Sequence, residues 1–558
     1  MTVRTPTATR TPRIVQPNAP LSHQRVLVVF SGLMLAMLLA ALDSTIVATA
    51  LPTIVGELGG LERLSWVVTA YLLAQTIVTP LYGKLGDLYG RKVVLQSAIV
   101  VFLIGSVLCG MAGSMIQLIV FRAIQGLGGG GLMVTTQAAI GDIVSARERG
   151  RYQGIFGAVF GLASIAGPLL GGFFTTELSW RWIFYVNLPL GGIALGVIAV
   201  TLPARPERVR HAIDYAGAGL LAAGLASLVI LTDLGGTAYP WSSPLILGLA
   251  VLAVTTLAAF VVVERRASEP VVPLHLFRVR DFAVATAVGL VVGFALFGSV
   301  TYLPLFLQVV KGVSPTASGL MMLPMMGGML TSSILSGQLI SRTGRYKRYP
   351  VAGMLVMTGG LFLLSRMHAD TTTGMALLAM LVLGLGLGLV MQVLVIAVQN
   401  AVEYKDLGVA TSGTILFRLV GGSVGTAVLG AIFAARLAVE LDTVLPAGTG
   451  RIPGAGVSPS AIAALPPPER ALYAGAFADS LATIFLVATM IGFAGWLLVW
   501  LLPERRLRET IAASSREAIG HEMGETFVMP EEDRELIQSM RGAAPRTAGT
   551  PDRSREGS

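Results

Sequence analysis

Two arginines and an aspartate sit where charge is hardest to keep. Asp43 stands in "AALDSTIVATALP" (40–52), and Val26 to Leu42 before it carry no charge. Arg122 opens "RAIQGLGGGG" (122–131), with Gln125 a turn further on and therefore on the same helical face. Arg418 lies in "GTILFRLVGG" (413–422). A carboxylate in apolar surroundings holds its proton more tightly, and a nearby guanidinium loosens it. A group pulled both ways can load a proton from one side and release it on the other when its neighbours move. The alternatives are a static Asp43–Arg122 ion pair, or an Asp43 satisfied by backbone groups. Gln125 serves either an interhelical hydrogen bond or the same proton chemistry. Arg418 has no obvious carboxylate partner, so it binds backbone carbonyls or has a functional role.

These residues need long apolar elements around them, and the composition supplies those. Of 558 residues 54% are hydrophobic and only 13% charged, about half the charged share of soluble domains; mean hydropathy is +0.74. Fourteen apolar spans are expected: 26–54, 64–83, 93–112, 117–139, 152–174, 182–202, 213–233, 243–264, 281–307, 316–340, 349–366, 374–400, 408–434 and 479–502. Each approaches or exceeds the ~20 residues that cross a hydrocarbon core of about 30 Å. Asp43 then lies roughly 25 Å from the entry of the first span, and Arg122 roughly 8 Å from the opposite face on the fourth. The two depths nearly coincide.

Basic residues set the orientation. With both termini inside, inner loops and tails hold 31 of the 40 Lys and Arg, outer loops seven, and spans only Arg122 and Arg418. The positive-inside rule then places the termini in the cytoplasm. It also accounts for the net charge of +9 without a nucleic-acid partner. The N-terminal apolar segment is too long for a signal peptide and reads as a retained helix. The lone Cys109 and five scattered His (23, 211, 275, 368, 521) suggest no metal or cofactor site. "LGGGG" (127–131) lacks the Lys-Ser/Thr of a phosphate loop, and no Ser–His–Asp set is apparent, so the chain does not read as an enzyme.

The expected organisation is a cytoplasmic tail (1–25), a six-helix bundle (26–202), two inserted helices (213–264), a second six-helix bundle (281–503) with a long Gly/Pro-rich outer loop (435–478), and a charged tail (504–558). In that tail "EEDRELIQSM" could form a short helix, and the end reads as disordered.

An internal repeat links the halves. "GKLGDLYGRKV" (83–93) matches "GQLISRTGRYK" (337–347) at Gly83, Leu85, Gly90 and Arg91, with Ser341 where the first copy has Asp87. Gly90 suits a tight turn, Arg91 and Lys92 anchor the inner face, and Asp87 can cap or ion-pair as the halves close. Losing the carboxylate at Ser341 makes that latch asymmetric. On the fifth span Gly154, Gly157, Gly161, Ser164 and Gly171 share one arc, a smooth face for helix contact. Gly167–Pro168 removes a backbone donor and invites a bend. Met321, Met322, Met325, Met326 and Met329 cluster in the tenth span, as core filling or as an adaptable surface.

"GKLGDLYGRK", "RAIQGLGGGG", "GLASIAGPLLGG" (161–172), "LDSTIVATALP" (42–52), "WRWIFYVNLPLG" (180–191) and "YLPLFLQVVKGVSPTASGLMMLP" (302–324) together resemble the major facilitator superfamily, within it the fourteen-helix drug/proton antiporters. The resemblance spans roughly 26–435 and the last helix. It implies an all-α integral membrane fold of two six-helix bundles with two extra central helices, and proton-coupled export of lipophilic or cationic compounds by alternating access. The export would run across a bacterial plasma membrane, by a monomer in contact with membrane lipids. It also implies that Asp43, Arg122, Gln125 and Arg418 serve coupling or substrate. Gly83, Asp87, Gly90, Arg91, Gly167, Pro168 and Gly171 would serve gating, with the bend at Gly167–Pro168 sealing one side of the cavity. An exporter dedicated to one endogenous metabolite or lipid, or a membrane sensor, would be the competing readings.

Overall fold

The computed structural model describes residues 23–59, 63–202, 214–236, 239–267, 269–444 and 466–507. The expectations for 1–22, for 203–213 and for the tail beyond 507, including "EEDRELIQSM", fall outside these.

Helices account for almost all of the described chain. In lipid a backbone must satisfy its own hydrogen bonds, and a helix does so within one segment. In order they are α1 His23–Leu58, α2 Leu64–Tyr89, α3 Arg91–Gly110, α4 Met115–Ile143, α5 Ala146–Glu177, α6 Trp182–Thr201, α7 Tyr215–Leu234, α8 Pro244–Glu264, α9 Arg280–Leu305, α10 Ala317–Thr343, α11 Arg348–Ser365, α12 Thr373–Ala401, α13 Leu407–Val444 and α14 Pro467–Val499. Among the described residues twelve helices are long and apolar enough to cross a membrane; α2 and α5 fall outside that measure. Both lie on the seam between the halves.

Short polar residues start many of these helices. Ser114, Ser145, Asp214, Ser243 and Thr372 each accept a backbone N–H from the first turn of α4, α5, α7, α8 and α12, satisfying donors that a helix start leaves free. Gly90 between α2 and α3 (φ 88°) and Gly344 after α10 (φ 67°) are the matched glycines of the repeat. Both take a positive φ that a side chain resists, but with different ψ, 143° at Gly90 and 8° at Gly344, so the repeat places a glycine at both turns and the turns differ. The long outer loop is narrower than expected. Helix α13 runs to Val444 and α14 starts at Pro467, because Ala-, Leu- and Val-rich sequence lies on both flanks of the Gly/Pro-rich centre.

Helices α1–α6 build two main apolar clusters, and α9–α14 one larger core. Met322, Met325 and Met329 lie buried in the α9–α14 core, with Met321 and Met326 packed against it, so the methionine cluster is core filling. The hairpin α7–α8 packs beside α2 and α13. The halves meet where α2 crosses α13 and α5 crosses α10. The connections α2–α3, α4–α5, α10–α11 and α12–α13 fall at one end of the bundle, called here the basic end for its Arg and Lys residues.

The charged C-terminal segment is tied down where it begins. Arg505 pairs with the fully buried Asp281 at the start of α9 (2.9 Å). The Tyr346 hydroxyl lies 3.1 Å from Asp281 and 2.9 Å from the Pro503 carbonyl.

Candidate functional site

Asp43 and Arg122 meet. Arg122 Nη1 donates to Asp43 Oδ2 (2.6 Å) and to Gln125 Oε1 (2.7 Å), and its Nε donates to the Val67 carbonyl (3.2 Å). Gln125 Nε2 donates to Asp43 Oδ1 (2.8 Å) and to Ser106 Oγ (2.7 Å). Asn187 Nδ2 reaches Asp43 Oδ1 (3.3 Å) and Ser106 Oγ (3.1 Å). The Cys109 thiol donates to Gln125 Oε1 (3.6 Å). The guanidinium lies over the Tyr71 ring, 4.2 Å from its centroid. Helices α1, α2, α3, α4 and α6 thus converge on one hydrogen-bonded ion pair. Asp43, Gln125, Ser106 and Asn187 are 0% exposed and Arg122 1%. Buried charges persist only when paired and hydrogen-bonded, and both Asp43 oxygens have partners. Two polar atoms at the rim have no protein partner: the Tyr71 hydroxyl and Asn187 Oδ1.

The approach of these helices depends on small residues. A Cβ on Gly105 of α3 would stand 2.5 Å from the Gln125 Cα of α4, so glycine there lets Gln125 and Ser106 face each other. Ser106, Asn187 and Tyr71 are site members that spacing alone does not reveal. Asn187 did leave a mark, as the one amide in the quoted motif "WRWIFYVNLPLG".

Arg418 does not join this cluster. It is half-buried on α13, with no hydrogen bond or ion pair to any described residue.

Of the residues expected to serve gating, Gly83, Asp87, Gly90 and Arg91 lie together at the basic end. Asp87 pairs with Arg91 within its own half and accepts the backbone N–H of Gly408 (3.0 Å) and Val409 (2.9 Å) at the start of α13 in the other. A carboxylate at a helix N-terminus complements the helix dipole. Arg91 also pairs with Asp142 (3.4 Å). Gly83 makes the crossing possible: a Cβ there would lie 2.3 Å from Ser412 Oγ and 2.8 Å from the Gly408 carbonyl. On the other side of the seam Arg147 donates to the carbonyls of Ser341 (3.0 Å) and Arg342 (3.1 Å) at the end of α10. The asymmetry expected from Ser341 is real and is bridged. An acid holds a helix N-terminus on one side, and a base holds a helix C-terminus on the other. Arg149 adds a bond to the Gln399 carbonyl of α12 (3.3 Å).

The glycine face of α5 splits in two. Cβ positions on Gly150, Gly154 and Gly157 would fall 2.6–2.7 Å from Gly337 or Ser333 of α10, whereas on Gly167 the nearest atom is Thr45 Oγ1 of α1, at 2.2 Å. The same Thr45 hydroxyl donates to the Ala163 carbonyl (2.9 Å). Helix α5 continues through Gly167–Pro168, and Gly171 is buried, its carbonyl accepting from Thr175 (2.8 Å). The side chains of Ser164 and Pro168 lie outside the described residues.

Comparison with known proteins agrees with this architecture. An uncharacterized MFS-type transporter of Mycobacterium tuberculosis is 45% identical over 501 residues, 89% of this chain and 73% of that protein. The multidrug transporter protein MdtP of Bacillus subtilis is 43% identical over 406 residues, 73% and 75% of the two chains. Among solved structures, a proton:xylose symporter superposes with a TM-score of 0.61 at 14% identity, over 88% of this chain and 99% of the other, which speaks for the fold alone. The sequence profile of the Major Facilitator Superfamily matches residues 33–426. This multi-pass membrane chain belongs to that superfamily, whose members are transporters and not enzymes.

Proposed function

We propose that the chain is a proton-coupled efflux transporter that moves lipophilic small molecules out across a bacterial plasma membrane by alternating access, its termini cytoplasmic. The observation that carries this reading is the buried Asp43–Arg122 pair, a titratable group with an opposite charge, shared among five helices and sealed from solvent. Such intramembrane carboxylates mark proton relays. When the half opens outward and Arg122 withdraws, Asp43 takes a proton. When the seam then opens at the basic end and the pair re-forms, Asp43 loses the proton to that side. While Asp43 loads from outside, the latch of Asp87, Arg147 and Arg149 holds the basic end shut. The name of the Bacillus relative supports drug-like cargo, and the basic connections support a cytoplasmic latched end.

The test uses everted vesicles with an imposed proton gradient and a panel of dyes and drugs. Wild type accumulates several of them and Asp43→Asn none. Gradient-driven transport that survives in the variant overturns the coupling role of Asp43. Transport that survives collapse of the gradient overturns antiport.

A further inference from the structure

Arg418 is the second of only two basic residues expected within the spans, and its surroundings are unlike those of Arg122. Arg122 is enclosed by Asp43, Gln125 and the Val67 carbonyl. Arg418 is half-buried and makes no hydrogen bond, ion pair or ring contact with any described residue.

The packing of α13 shows which way Arg418 faces. Leu416 joins the cluster formed with Leu221, Leu225 and Phe260 of the α7–α8 hairpin, and Ser423 meets Thr232 of α7 (2.7 Å). That is the outer flank. Arg418 follows Leu416 by two residues, a rotation of about 200°, and so looks away from it. Seven residues earlier Thr411 stands within about 20° of the same line; it accepts a bond from Gln399 of α12 (3.0 Å), a residue that also reaches the Gln137 carbonyl of α4 (3.3 Å). Gly293 fixes the register: its Cβ position lies 1.9 Å from the Arg418 carbonyl, so α9 and α13 touch backbone to backbone at this residue. Arg418 therefore projects between α9 and α12, into the interior that the halves enclose.

A guanidinium remains protonated in proteins, and an intramembrane charge without a partner is costly and usually functional. Asp43 cannot neutralise it, because Asp43 is already committed to Arg122. From this we infer that Arg418 binds the anionic end of the cargo, so that the transporter accepts amphipathic organic acids, an apolar body carrying one carboxylate. The planar fork of Arg matches a carboxylate in two parallel bonds. This reading rests on the efflux function above and gives the cargo's charge the sign opposite to the cationic one that the sequence resemblance allows. If one proton enters per acid expelled, two charges move inward per cycle, so the membrane potential assists export, whereas exchange of a univalent cation for one proton moves none.

Equilibrium binding tests the inference without any gradient, so it stands or falls apart from proton coupling. The purified full chain in detergent is titrated with dansylaminoundecanoic acid and with its methyl ester, followed by dansyl fluorescence. Wild type binds the acid about tenfold more tightly than the ester. In Arg418→Gln that preference falls below about twofold, and Arg418→Lys, which keeps the charge but not the fork, lies between. Wild type that binds ester and acid alike overturns the inference, as does an Arg418→Gln protein that keeps the preference. The wild-type comparison decides even if the Gln variant does not fold.

Discussion

At the scale of single residues, Arg122 does more than balance a charge. Its Nη1 and Nε hold three acceptors from three helices, a geometry that a lysine ammonium on a flexible stem cannot reproduce. Arg122→Lys is expected to keep the protein folded while cutting gradient-driven transport at least tenfold. Arg122→Leu strands a buried carboxylate at a cost of about 3–5 kcal/mol, read as a lower melting temperature in detergent. Equal transport by wild type and Arg122→Lys would remove the fork from the mechanism. The Asp43–Arg122 meeting was legible in sequence, because each span converts residue number into depth. Ser106, Asn187 and Tyr71 were not. They lie on three further helices, and which face each turns inward is set by glycine contacts such as Gly105 on Gln125, which no spacing within one helix encodes.

At the scale of elements, the latch couples a side chain to a helix end. Burial is the main cause that pushes the Asp87 carboxyl up to about 6; Asp142 adds to this, while Arg91 and the N–H groups of Val409 and Gly408 oppose it. An exposed Asp titrates near ~3.9. The closed latch therefore binds this proton more tightly than the open one. Its stability relative to the open form rises as pH falls from about 6 towards ~4 and is constant below that; at neutral pH none of this gain is present. Spin labels at Tyr89 and Lys405 should report more of the short distance at low pH, and Asp87→Asn should flatten the dependence. An unchanged pH response in Asp87→Asn would exclude Asp87 as its source. The repeat announced this element, down to the turn glycines. It did not announce Arg147, which lies outside the repeat and answers the missing carboxylate at Ser341 from another loop.

At the scale of the whole molecule, the apolar clusters of the two halves are separate, and glycines line the crossings of α2 with α13 and of α5 with α10. Alternating access requires the seam between the halves to open at the basic end. A disulfide between cysteines placed at Arg147 and Ser341, on opposite halves, is expected to reduce transport to background, and a reductant to restore it. Transport that continues with the cross-link complete would mean that the halves do not part there. The two-bundle plan was visible in hydropathy and in the repeat. The extent of α13 and α14 was not, because Ala- and Leu-rich sequence beyond a span reads equally as loop or helix until packing decides it.

Cys109 is the chain's one cysteine, it is fully buried, and its thiol is bound to the amide of Gln125. Labelling chemistry aimed at engineered cysteines therefore meets almost no background in the native protein. The converse is more useful: any thiol reagent that does reach Cys109 does so only after the Asp43–Arg122–Gln125 network has loosened. The native protein thus carries a chemical clock for the opening of its own charge pair, readable by mass spectrometry without a single substitution.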